Sequence, residues 1–227
     1  MRRSTTTALA LSAAVTVIAL TGCSSSTNPA VASVPFSAPA HPSASAPLSS
    51  AELNQRLLIE SDLGEGYTRN PEAPRRNDDV TVIGCPALEK LGSSAAAGAD
   101  LDFARRAKAS FTYTGSSSSE VGEELYSDSP AKLSTGIGKV FDAMLSCPTY
   151  QVTSGSTVVD ISTTKTAAPD LGAEQWSQLL TFSVGGQRSI VKQTAIRTGN
   201  ILVVVSGSAG LVDLHLQRAV DRAQRPR

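Results

Sequence analysis

Apolar positions follow three different rhythms along this chain, and each predicts a different kind of segment. The first is a continuous run. Ala8 to Leu20 is a thirteen-residue stretch that carries no charge. It is shorter than the roughly 20 helical residues needed to cross about 30 Å of hydrocarbon. The second rhythm is an absence. Ser24 to roughly Ser50 holds no Asp, Glu, Lys or Arg and is built from Ser, Ala and Pro, with Pro29, Pro35, Pro39, Pro42 and Pro47. Such a segment has too little apolar surface to fold, and its prolines keep it extended and semi-stiff. The third rhythm begins at Ser50, where charge and apolar periodicity return together.

From there the pattern predicts an ordered series of elements. Ser49 or Ser50 caps a helix with Glu52 in its first turn and Leu53, Leu57 and Leu58 on one face, ending before Gly64. A turn over 62–67 leads into an extended piece, and 70–79 is a polar loop. Val80, Val82 and Ile83 form a short strand up to Cys85. Pro86 opens a second short helix carrying Leu88 and Leu91, and Gly92 to Gly98 is a small-residue loop. Ala107 to Thr114 reads as a strand. Val121 to Tyr126 fits strand or helix equally. Ser129 and Pro130 start a long helix in which Leu133, Ile137, Val140, Phe141, Met144 and Leu145 share one face, and Pro148 ends it.

After Tyr150 the period shortens to two. Val158, Val159 and Ile161 suggest a strand. Gln175 to Val184 alternates, Gly185-Gly186 signals a hairpin, and Ser189 to Arg197 alternates again. Thr198-Gly199-Asn200 turns the chain into Ile201–Val205, a wholly apolar run that predicts a central strand. A last helix spans about Leu211 to Gln224. Strands joined by tight turns are antiparallel. The expected fold class is therefore α+β, a twisted antiparallel sheet packed by a few helices on one face. The domain plan is 1–22, 23–49 and 50–227.

The apolar run acquires a meaning from its flanks. Arg2 and Arg3 precede it, and Leu20-Thr21-Gly22-Cys23 follows. This resembles the lipobox of bacterial lipoprotein signal peptides. The resemblance implies cleavage before Cys23 and diacylglycerol, with further acylation, on the Cys23 residue. Two or three chains anchor stably where one binds marginally. The expected location is the extracytoplasmic face of the cell membrane. The segment 23–49 is then a tether. An ordinary secretory peptide cut elsewhere, and a twin-arginine signal, are the alternatives.

Charge adds an exclusion. Twenty basic and twenty acidic residues give a formal charge of zero, and loss of the first 22 residues leaves about −2. No electrostatic case exists for nucleic acid or for broad adhesion to anionic membrane. With Cys23 assigned to lipid, Cys85 and Cys147 remain. Outside the cytoplasm such a pair is most simply a disulfide. Free buried thiols are the alternative. A zinc shell lacks its other ligands.

Catalytic patterns are sparse. His215 is the one histidine in the folded region, since His41 falls in the tether. Gly207-Ser208-Ala209-Gly210 lacks the spacing of a nucleophile elbow. No phosphate-binding glycine motif occurs. Asp78-Asp79 and Glu123-Glu124 lack calcium-loop spacing and read as solvated loop charge. His215 reads as a partly buried or solvent-facing helix residue, and Arg218, Arg222, Arg225 and Arg227 as the wet face of the last helix. No cofactor, metal or catalytic residue is expected. Trp176, Tyr67, Tyr113 and Tyr126 are the aromatics available to line a cleft.

Several patterns together resemble a known family: Leu57-Leu58, then Asp62-Leu63-Gly64-x-Gly66-Tyr67, Cys85-Pro86, the helix ending in Cys147-Pro148, the strand pair Ser189 to Arg197 and Gly199 to Gly207, and the closing helix. The chain is similar over about 50–224 to actinobacterial lipoproteins with a PknH-like extracellular sensor-type domain. The resemblance implies an α+β fold with a cleft between helices and sheet. It implies sensing or binding of a small-molecule or cell-wall ligand, or of an envelope protein, rather than catalysis. Ala, Ser and Thr usage joins it in implying a high-GC actinobacterial source. The chain departs by offering one cysteine pair where that family's kinase domain has two disulfides, and by lacking a kinase domain, so no signalling role carries over. The readings from other classes are an extracytoplasmic hydrolase acting on the cell envelope with an unrecognised site, and a structural or assembly factor.

Overall fold

The computed structural model describes residues 46–72, 80–92, 103–115 and 119–225. The signal segment, Cys23, most of the tether with His41, the Asp78-Asp79 pair and most of the Gly92–Gly98 loop lie outside them. Nine strands form one open antiparallel sheet. They are β1 (Tyr67–Arg69), β2 (Val80–Ile83), β3 (Arg106–Tyr113), β4 (Ser119–Ser127), β5 (Thr149–Ser154), β6 (Thr157–Lys165), β7 (Glu174–Val184), β8 (Gln187–Thr198) and β9 (Ile201–Gly207). Their order across the sheet is β1-β3-β4-β9-β8-β7-β6-β5-β2, with the two shortest strands at the edges. The helices are α1 (Ser50–Asn54), α2 (Glu60–Leu63), α3 (Pro86–Glu89), α4 (Pro130–Ser146) and α5 (Ala209–Gln224).

The predicted first helix is two. Ser49 closes a capping box with Glu52 around α1. The chain then leaves helical geometry through Leu57 and Leu58, which are buried between α1 and α2. Val121 to Tyr126 resolves as strand, because β4 pairs along its length with both β3 and β9. The strand at Thr149–Ser154 was not foreseen. It turns through Gly155 into β6 and pairs with it from Thr149↔Ser162 to Ser154↔Thr157.

Helices cover both faces of the sheet, not one. Strand β9 shows why. Ile201, Val203 and Val205 point to one side and join Leu53, Leu57, Phe111, Val121, Leu125, Val212 and Leu216. Leu202 and Val204 point to the other and join Leu133, Ile137, Phe141 and Tyr126. A strand buried on both sides reads as an unbroken apolar run, as Ile201–Val205 does. Helices α1, α2 and α5 cover the first side over β3, β4, β9 and β8. Helix α4 covers the second over β9, β8, β7 and β6, with α3 against its far end. Ala143 and Met144 of α4 pack there with Cys85, Leu88, Tyr150, Val152 and Leu180. The Cys85–Cys147 disulfide, with Cα atoms 5.6 Å apart, closes this second core.

The chain enters the domain at one end of the sheet. Leu48 donates its N–H to Ser127 Oγ at 2.8 Å, Ser127 Oγ donates to the Asn200 carbonyl at 2.7 Å, and Asn200 Nδ2 donates to the Ala46 carbonyl at 2.6 Å. The entry point is thereby fixed at the β8–β9 turn.

Candidate functional site

Helix α5 reaches β8 and goes no further. Lys192 of β8 meets Asp213 of α5 at 2.5 Å, marking that border. Beyond it the described helices leave the same side of β7, β6, β5 and β2 open, and the sheet forms a concavity of about 430 Å³. Its lining follows from strand register. One cross-strand row runs Ile83↔Gln151↔Asp160↔Ser183↔Arg188, and the next runs Thr149↔Ser162↔Thr181↔Ile190. All but Arg188 and Ile190 line the hollow, together with Gly84 and the backbone course of Tyr150 and Ile161. The surface is thus four hydroxyls, one amide and one carboxylate, with Ile83 and Ile190 exposed at its two ends. Gln151 Nε2 donates to Asp160 Oδ1 at 2.8 Å, which fixes one carboxylate oxygen.

The disulfide holds one wall. Cys85 follows Ile83 and Gly84, and Cys147 lies two residues before Thr149. The bond therefore fastens edge strand β2 to the start of β5, and with it the β2 end of the lining. Gly84 sits at φ 84°, a left-handed conformation that costs glycine little and a β-branched residue much.

The four aromatics named from sequence fall into two pairs on opposite sides of the sheet, and none lines this hollow. Tyr67 and Tyr113 stack at 4.8 Å on the α5 side. Tyr126 is buried against Phe103 at 5.5 Å, and Trp176 faces Phe141 at 6.4 Å, both on the α4 side. Tyr67 also bonds His215 Nε2 through its hydroxyl at 2.6 Å. His215 is 5% exposed, so it is a core residue with a partner rather than a solvent-facing one. Burial lowers its pKa.

Glu123 corrects another sequence reading. It is no loop charge but a core residue, 1% exposed on β4. Its Oε2 accepts the Leu58 N–H at 2.6 Å, and its Oε1 has no partner. Burial pushes its pKa up to about 8, against the pull of the Leu58 N–H, Arg222 and Arg69. Arg222 is likewise not on a wet face. Its guanidinium donates to the Leu57 carbonyl and lies 2.9 Å from Asp62. Alternation on β4 carried the signal: Val121, Glu123 and Leu125 share one side. Glu124 points the other way and pairs with Lys108 at 3.0 Å.

Among the described residues no group of three or more His, Cys, Asp or Glu side chains is placed to hold a metal ion. No described helix is long and apolar enough to cross a membrane.

No protein-family model matches the chain, and no curated protein matches it. Among solved structures it is similar in fold to the extracellular domain of PknH from Mycobacterium tuberculosis. That likeness has a TM-score of 0.60 at 14% identity and covers 79% of this chain and 98% of that one. An uncharacterised protein from Mycobacterium smegmatis, the Rv0999 ortholog, matches at a TM-score of 0.43 and 9% identity, over 78% of this chain and 97% of that one. The chain thus carries a fold like that of the PknH extracellular domain.

Proposed function

We propose that this chain is a lipoprotein, anchored through Cys23 to the outer face of an actinobacterial membrane, whose domain binds or senses an envelope ligand. The observation that carries the reading is Leu20-Thr21-Gly22-Cys23 directly after an uncharged apolar run. Two structural facts support it. A disulfide belongs to an oxidising compartment. The fold is like that of a domain described as extracellular.

The test is intact mass and fractionation of the protein from its host. The expected mature form starts at an acylated Cys23 and partitions with membranes, and Cys23→Ala releases it. A bare thiol at position 23 in a soluble protein overturns the anchor. The PknH extracellular domain belongs to a kinase, and a sensing role comes to this chain only as part of this proposal.

A further inference from the structure

We propose that the hollow on β7, β6, β5 and β2 is a carbohydrate site, taking a neutral polyhydroxylated ligand rather than a cation or an anion. The inference deepens the reading of this domain as a ligand binder and rests on it.

The argument starts from what the hollow offers. Among the described residues the hydroxyls of Thr149, Ser162, Thr181 and Ser183 bond to no other side chain, so each has both a donor and an acceptor to give. They stand on adjacent strands about 4.8 Å apart, a spacing at which successive hydroxyls of a sugar ring can each find a partner. Asp160 is the one charged group in the lining. Gln151 holds it in place from one side, and its free oxygen is an acceptor for ligand O–H groups. A carboxylate alone would equally suit an ammonium. Arg188 stands at the rim, two strands along the same row. In the lining four hydroxyls and one amide outnumber the single carboxylate, and donors and acceptors in near balance match a polyol better than a simple cation or anion. Ile83 supplies an aliphatic patch against which the C–H face of a ring can rest. The volume lies in the range of small-ligand clefts. No aromatic platform is present in the lining, so binding is expected to be weak and set by the polar groups.

The experiment uses the purified full chain in detergent, with N,N′-diacetylchitobiose as the probe and agmatine and inorganic phosphate as charged comparators. Binding is followed by isotope-edited NMR shifts and by calorimetry. The expected result is saturable shifts confined to lining residues with the disaccharide. Asp160→Asn should weaken them about tenfold and Thr181→Val severalfold, while Asp213→Asn, outside the hollow, leaves them unchanged. Asp160 is exposed, so its substitution does not threaten folding. Absence of disaccharide shifts at millimolar concentration overturns the proposal. So does a response to agmatine alone that is lost in Asp160→Asn, although that outcome keeps the domain a ligand binder and rejects only the ligand class. A wild-type chain found soluble with a bare Cys23 thiol but still binding the disaccharide would reject the anchor and leave this site standing.

Discussion

Glu123 of β4 accepts the backbone N–H of Leu58 at 2.6 Å inside the core, which ties the entry segment α1–α2 to the centre of the sheet. The second carboxylate oxygen has no partner. A buried charge in that position is costly, so the carboxyl stays protonated up to a pKa of about 8. In the unfolded chain it ionises near the ordinary value of 4.5. Between those values the native state holds a proton that the unfolded state has lost. Stability from this group therefore falls as pH rises from about 4.5 to about 8, by up to about 1.4 kcal/mol per unit, and is level outside that window. His215, with a lowered pKa, acts in the opposite sense and costs stability as pH falls below its ordinary range. Glu123→Gln isolates the carboxyl. Urea melts from pH 5 to 9 should show the downward slope in the wild-type chain relative to Glu123→Gln. Parallel profiles for the two chains would reject the assignment.

The Cys85–Cys147 bond closes a loop with a sequence separation of 62. In the chain-entropy account a loop of that size contributes about 4 kcal/mol. Replacing both cysteines with alanine should cost about 2 to 4 kcal/mol in chemical denaturation. Because the bond fastens β2 to the start of β5, the loss should be uneven. Amide exchange at Val80–Ile83 should rise before exchange at Ile201–Val205. Uniform loosening of the whole sheet would contradict this placement of the bond.

Tyr67 and His215 offer a coupled pair. The phenol–imidazole bond is 2.6 Å long, and the rings meet edge to face at 5.0 Å. Tyr67→Phe keeps the ring contact and strands the imidazole nitrogen, at an expected cost of about 1 to 2 kcal/mol. In a double-mutant cycle with His215→Phe the two changes should couple by about 1 kcal/mol. Additive losses would mean that the bond contributes nothing beyond the packing of its rings.

Much of this architecture was legible in the sequence, and the reasons differ by element. Helix α4 was readable because Leu133, Ile137, Phe141 and Met144, all buried, repeat at helical spacing between a Ser129 cap and Pro148. The β7–β8 hairpin was readable because Gly185-Gly186 interrupts two alternating runs. What escaped depended on long-range register. Short β5 has a weak local pattern and exists by pairing with β6 and β2. The helical cover of both faces escaped because the side on which each helix packs is set by the sheet and not by any local pattern. The hollow was illegible for the same cause: its lining comes from four strands, and its four hydroxyls from three of them, brought together only by sheet pairing. Aromatic residues drew attention instead, yet they serve the two cores.

Two glycines of the chain test the packing in opposite directions. Gly207 ends β9 at φ 141° and faces Val121 across the ladder. A Cβ there would run into the carbonyl oxygen of Glu120, which also accepts the Ser208 N–H at 2.9 Å and so starts helix α5. The obstruction is backbone paired on both sides, and it cannot yield as a flexible side chain would. Gly207→Ala should therefore cost more than about 2 kcal/mol through strain and clash together. Gly138 lies in the middle of α4, and a Cβ there meets nothing within 4 Å. Gly138→Ala should stabilise the chain by about 0.5 to 1 kcal/mol through helix propensity. Gly136, two residues earlier, is a third case, because its Cβ would press on the Phe103 ring, and its alanine variant should lose stability despite the same propensity gain. Thermal melts of the three variants give the order Gly138→Ala, wild type, Gly136→Ala, Gly207→Ala from most to least stable. A Gly207→Ala chain as stable as wild type would show that β4 and β9 do not approach as closely as their pairing requires.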